Sequence, residues 1–140
     1  MLPRAAILAG LLFPLTATVA HSQSGPGALQ VRHVHIWVMD VNRTKAFYQD
    51  KLGLKVSGER PGQSVEFEGG SLWFGKWQGS GKPSTSGITI GIGAASVQAA
   101  YDALKQKGVD LPHPPAPVRD EWHFMLHDPD GYEIEIEGGK

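Results

Sequence analysis

The chain contains no cysteine. That absence excludes disulfide scaffolds, zinc knuckles, thiol redox motifs, cysteine nucleophiles and cysteine-linked lipid anchors. Any metal site has to draw on His, Asp or Glu. Neither sign of charge is in excess: 13 Lys+Arg stand against 14 Asp+Glu, a formal net of −1. An extended nucleic-acid groove or a polybasic membrane patch needs such an excess, so nucleic acid is not expected as a partner. Long apolar runs are scarce too. What the chain has in quantity is Gly 18 and Pro 10, which imply many turns and short elements. Its 140 residues suit one domain with one packed core.

The one long apolar run lies at the start. Arg4 precedes an apolar run from Ala5 to Ala20, and Thr18-Val19-Ala20 puts small residues where a signal peptidase reads. The pattern predicts a secretory signal peptide over residues 1–20. Gly10, Pro14 and the short length argue against a membrane span, so none is expected after cleavage. The remaining chain would then be periplasmic or secreted, and would begin with a flexible leader over 21–29, rich in small and polar residues. An exported protein does not meet the cytosolic glutathione pool, which disfavours a glutathione-dependent role.

Residues 30–138 read as two copies of one unit. Val34, Ile36 and Val38 alternate with His33, His35 and Trp37, the mark of a strand with an apolar and a functional side. A helix is predicted over about 42–51, capped by Asp40 or Asn42 and ended by Gly53. Strand candidates follow at 54–58, 64–68 and 71–77, the last two separated by Gly69–Gly70. A polar linker spans 78–86, and the same order then restarts. Ile88, Ile90 and Ile92 alternate with Thr89, Gly91 and Gly93, and Ser96 opens a helix over about 96–107 that Gly108 stops. The four prolines between Leu111 and Val118 permit only an edge or broken strand. Glu121–His127 alternates again, Asp128-Pro129-Asp130-Gly131 makes a turn, and Tyr132–Glu137 forms the last strand. At an offset near 56, Val41 meets Val97 and Tyr48 meets Leu104. The expected fold is α+β: two tandem βαβββ modules, about 30–77 and 87–138, as curved mixed sheets around a central cavity. Gly91-x-Gly93 lacks the third glycine and the context of a dinucleotide fingerprint.

The run His33-Val34-x-Ile36-x-Val38-x-Asp40-Val41, with Phe47-Tyr48 and Leu52-Gly53, resembles the first module of the vicinal oxygen chelate superfamily. Asp128-Pro129-Asp130-Gly131-Tyr132-x-Ile134-Glu135 resembles the end of the second. That superfamily includes glyoxalase I, extradiol dioxygenases, and fosfomycin- and bleomycin-resistance proteins. The resemblance implies metal ligands on the first and last strands of each module. Carried over by position, these are His33, Trp73, Thr89 and Glu135, of which His33 and Glu135 suit a divalent ion such as Zn, Ni, Fe or Mn. It also implies a homodimer.

Two functions from different classes stay open. One is a metal-dependent lyase or dioxygenase, with the ion as Lewis acid and Glu135 as ligand or proton acceptor. The other is metal-free binding or sequestration of a small organic molecule, as in the bleomycin-resistance branch. His35, Trp37, Trp73, Thr89 and His123 are expected to line the pocket, since aromatic walls with a few polar groups hold flat ligands. Trp77 and Trp122 are weighed as further wall residues, and His35 or His123 as substitute ligands. His33 and Glu135 are expected to meet in one cavity, within one chain or across a dimer, because helices must cover the opposite faces of both sheets.

Overall fold

The computed structural model describes residues 33–69 and 72–140. The signal peptide, the leader and residues 30–32 lie outside the described residues. None of the described helices is long and apolar enough to cross a membrane.

The first module runs β1 (Val34–Val38), α1 (Val41–Ala46), β2 (Val56–Arg60), β3 (Ser64–Phe67) and β4 (Leu72–Lys76). The second runs β5 (Thr89–Ala94), α2 (Val97–Gln106), β6 (Ala116–Val118), β7 (Glu121–His127) and β8 (Glu133–Gly138). Each module forms a four-stranded mixed sheet, β1-β4-β3-β2 and β5-β8-β7-β6. In each, the first strand pairs parallel with the last, and the remaining pairs are antiparallel. The two tandem βαβββ modules expected from the alternation are present.

Both helices begin where the caps predict. The Asp40 carboxylate accepts from the N–H groups of Asn42 (2.9 Å) and Arg43 (3.1 Å). Ser96, 56 positions on, accepts from the Ala99 N–H at 3.3 Å. These bonds satisfy donors that a helix start leaves orphaned. The first helix ends differently from its expected form. Past Ala46 it widens into a π-helical turn, Phe47–Lys51. Tyr48 on that turn is fully buried and donates to Asp128 at 3.3 Å. Beta-strand edges are also respected: the proline-rich segment yields only the three-residue edge strand β6.

The core lies on the helix-covered faces. Val65 and Phe74 pack under α1, and Phe124, Leu126, Ile134 and Ile136 under α2, with Ile36 and Val38 of β1 buried in the same core. Val34 shares the parity of Ile36 and Val38 but stays half exposed at the start of its strand. Trp122 has the parity of Phe124 and Leu126, so it packs toward the core and not on the open face. There the Lys140 ammonium stands 4.5 Å from its ring centroid.

The modules are tied by the Asp-Pro-Asp-Gly turn between β7 and β8. The Asp130 carboxylate accepts from the Met39 N–H (2.9 Å) and the Arg43 guanidinium (3.0 Å), with the Thr44 hydroxyl at 3.3 Å. Asp128 accepts from its own turn, through the N–H groups of Asp130 and Tyr132 at 2.9 Å. The Tyr132 hydroxyl donates to the Trp37 carbonyl at 2.8 Å. Burial raises the Asp128 carboxyl above its ordinary value, and the N–H bonds from Tyr132 and Asp130 oppose that rise. The folded state therefore holds this proton more tightly than the unfolded chain. Its contribution is fully present at low pH and is lost as pH climbs from the ordinary carboxylate range through the raised value.

Candidate functional site

Strand parity leaves one face of each sheet without a helix. On the first sheet that face carries His33, His35 and Trp37. In register, His35 lies opposite Trp73 and Trp37 opposite Gly75, with Glu66 and Ser64 next in line on β3. The side chains form a continuous row. The His35 ring stacks on Trp37 at 4.2 Å and on Trp73 at 5.3 Å, with interplanar angles of 25° and 8°. His33 meets Trp73 edge-on at 4.9 Å, and Trp77 meets Trp37 edge-on at 6.2 Å. Aromatic pairs of this kind contribute about 0.5–1.5 kcal/mol each beyond their buried area.

Gly75 makes the row possible. Its backbone runs under the His35 imidazole, and a Cβ at 75 would overlap the ring. Burial, and then the neighbouring charge of His33, lower the His35 pKa from its ordinary value. The imidazole is thus favoured neutral, with one donor and one acceptor nitrogen to offer. Beside the row lies a hollow of about 330 Å³ lined by His35, Trp37, Arg60, Ser64, Trp73 and Lys76 among others.

The open face of the second sheet is acidic. Thr89, Gly91 and Gly93 on β5 lie opposite Glu133, Glu135 and Glu137 on β8, and these lie opposite His127, Met125 and His123 on β7. The Thr89 hydroxyl donates to Glu133 at 2.8 Å. His123 Nδ1 and Glu135 Oε1 are 2.6 Å apart, a charge-assisted pair able to hold or accept a proton. Glu121 Oε2 stands 3.7 Å from the other His123 nitrogen, Nε2. Here the hollow is about 430 Å³ and is lined by Val118, Arg119, Asp120, Glu121, His123 and Glu137.

The candidate ligand and pocket residues therefore sit on open sheet faces, but on two faces, while Trp122 packs toward the core. His33, His35, Trp37 and Trp73 lie together on the first, and Thr89, His123 and Glu135 on the second. The two hollows are lined by different residues. Sequence reasoning singled out none of Gly75, Glu121 and Glu137 as site residues. Parity alone marks Glu121 and Glu137 as facing with His123; only the register makes them neighbours.

The four positions that suggest a metal hold one imidazole and one carboxylate. Trp73 has no ligand atom, the Thr89 hydroxyl is bonded to Glu133, and Glu135 is bonded to His123. This donor set does not fit a firmly held divalent ion, which takes about three protein ligands or more.

The model of the Glyoxalase/Bleomycin resistance protein/Dioxygenase superfamily matches residues 30–136. No curated protein matches the chain in sequence. Among solved structures, a protein of unknown function from Agrobacterium tumefaciens str. C58 is 28% identical, with a TM-score of 0.68 over 79% of this chain and 94% of that one. A lactoylglutathione lyase from Agrobacterium tumefaciens is 17% identical, with a TM-score of 0.60 over 77% and 92%. TnmS3, an antibiotic-binding protein from Streptomyces sp. CB03234, is 20% identical, with a TM-score of 0.65 over 81% and 98%. These last two share the fold.

Proposed function

Because the chain belongs to the Glyoxalase/Bleomycin resistance protein/Dioxygenase superfamily, we propose that it binds a small flat organic molecule against the aromatic face of its first sheet, in a cavity that a second copy closes. The observation that carries this reading is the Trp37–His35–Trp73–His33 row, laid out on a face that no helix covers. Trp37 is 40% exposed, which is costly for a residue of this size unless something else covers it. A planar π-system gains stacking area on such a row, while Arg60, Ser64 and the His35 nitrogens orient its polar groups. The acidic face of the second sheet, with Glu133, Glu135 and Glu137, complements the Arg60 and Lys76 side of the first in charge. Pairing the two faces between copies is what brings His33 and Glu135 into one cavity, and TnmS3 shows that this fold serves antibiotic binding in one relative. The metal-dependent lyase or dioxygenase reading asks for the same pairing, and the donor set described above supports it less well.

The test is a tryptophan-fluorescence titration of the full chain with a panel of planar aromatic compounds, cationic and neutral, run beside sedimentation analysis. Saturable quenching by a dimer is expected, and Gly75→Val should weaken it by at least about tenfold by pushing His35 out of the row. A monomer at high concentration, or quenching that Gly75→Val leaves unchanged, would overturn the reading.

The signal-like start supports export as part of the same proposal. Native protein beginning at or near His21 is the expected result of N-terminal sequencing; native protein beginning at Met1 or Leu2 would refute it.

A further inference from the structure

We propose that the second module holds a divalent cation of the zinc or manganese class at Glu121, His123 and Glu137, displaced from the metal position that the superfamily resemblance designates. One ligand atom from each of these three side chains lies within 4.8 Å of the others. The set is mixed, an imidazole nitrogen with two carboxylate oxygens, and suits a borderline or hard divalent ion. Its geometry comes from pairing. Glu121 and His123 stand two residues apart on one face of β7, and the register sets Glu137 of β8 directly opposite His123.

The residue that would have been the ligand takes a different part. Glu135 accepts from His123 Nδ1 at 2.6 Å, with its own side chain about one third exposed. A carboxylate there fixes the tautomer with the proton on Nδ1. The lone pair then sits on Nε2, the nitrogen that faces Glu121 at 3.7 Å. This is the outer-shell arrangement by which a carboxylate orients a metal-binding histidine and raises its basicity. Ligand atoms around a zinc ion stand about 2.0–2.2 Å from it, so tetrahedral ligands lie about 3.4 Å apart and the three side chains must rotate inward to close onto one point. The adjoining hollow of about 430 Å³ leaves the rest of the coordination sphere to water or a small anionic ligand. Arg119 and Asp120 line the same hollow. The proposal does not depend on the aromatic face, so the two can fail separately.

Zinc chloride titrated calorimetrically into chelator-stripped full chain should bind one-to-one. Glu121→Gln and Glu137→Gln, both on solvent-accessible side chains and close in shape, should each weaken binding beyond the roughly 10–100-fold that loss of an outer-shell partner costs. Glu135→Gln should fall within that 10–100-fold range, and His33→Ala should bind as the parent does. In ¹⁵N spectra, zinc should shift Nε2 of His123 and leave Nδ1 protonated. Two results would overturn the proposal: no saturable one-to-one binding by the parent, or binding lost in His33→Ala and kept in both Glu121→Gln and Glu137→Gln. The second places the ion at the superfamily position instead. Circular dichroism melts that match the parent keep misfolding out of the comparison.

Discussion

Asp130→Ala should lower the unfolding free energy by about 2–4 kcal/mol. The Asp130 side chain is 1% exposed and accepts from three groups of the other module, on Met39, Arg43 and Thr44. Truncation leaves the Met39 N–H without its acceptor, whereas the Thr44 hydroxyl still has the Asp40 carbonyl at 3.0 Å. The Arg43 pair itself is half open to solvent and contributes little; the lost Met39 N–H bond carries most of the effect. Asp130→Asn keeps an acceptor oxygen and should cost about 1 kcal/mol. Thermal melts should show Asp130→Ala down by about 10–20 °C. The exposed Asp110→Ala should stay within about 0.5 kcal/mol of the parent. Equal melting temperatures for Asp130→Ala and Asp110→Ala would mean that the turn does not hold the modules together.

Gly138→Ala should be comparably damaging for a different reason, at about 2–5 kcal/mol. Gly138 has φ +145°, a conformation open to glycine and closed to residues with a side chain. A Cβ there would also overlap the carbonyl oxygen of Ala94, its register partner on β5. Neither atom can give, because both belong to paired backbone. The damage should spread, since the Gly139 carbonyl accepts from the Val97 N–H at 2.7 Å and so helps to close the start of α2. Gly93→Ala is the matched control. It lies on the same strand pair but faces open space, so its melt should stay within about 1 kcal/mol of the parent. A Gly138→Ala protein as stable as Gly93→Ala would show that the β5–β8 edge relaxes more freely than its geometry implies.

The sequence by itself determined everything that local physics writes along the chain. Period-2 alternation put His33, His35 and Trp37 opposite Ile36 and Val38 because a strand has only two faces. Asp40 and Ser96 marked the helix starts because a helix leaves its first N–H groups without partners. Repetition of that pattern at an offset of 56 gave the module count, and the motifs around His33 and Glu135 gave the superfamily. Only the tertiary structure decided what touches what. The π-helical turn at Phe47–Lys51 has no local signature, and its residue Tyr48 is bonded to Asp128, 80 positions away. Trp122 went to the core and Trp37 to the open face. Alternation already set Trp122 with Phe124 and Leu126, opposite Glu121, His123 and His127, and the packing showed that this apolar side is the core. Glu137 became a neighbour of His123, and Glu135 its hydrogen-bond partner, through strand register. Register is set by long-range pairing and core packing, and a single strand carries no record of which residue its neighbour will present.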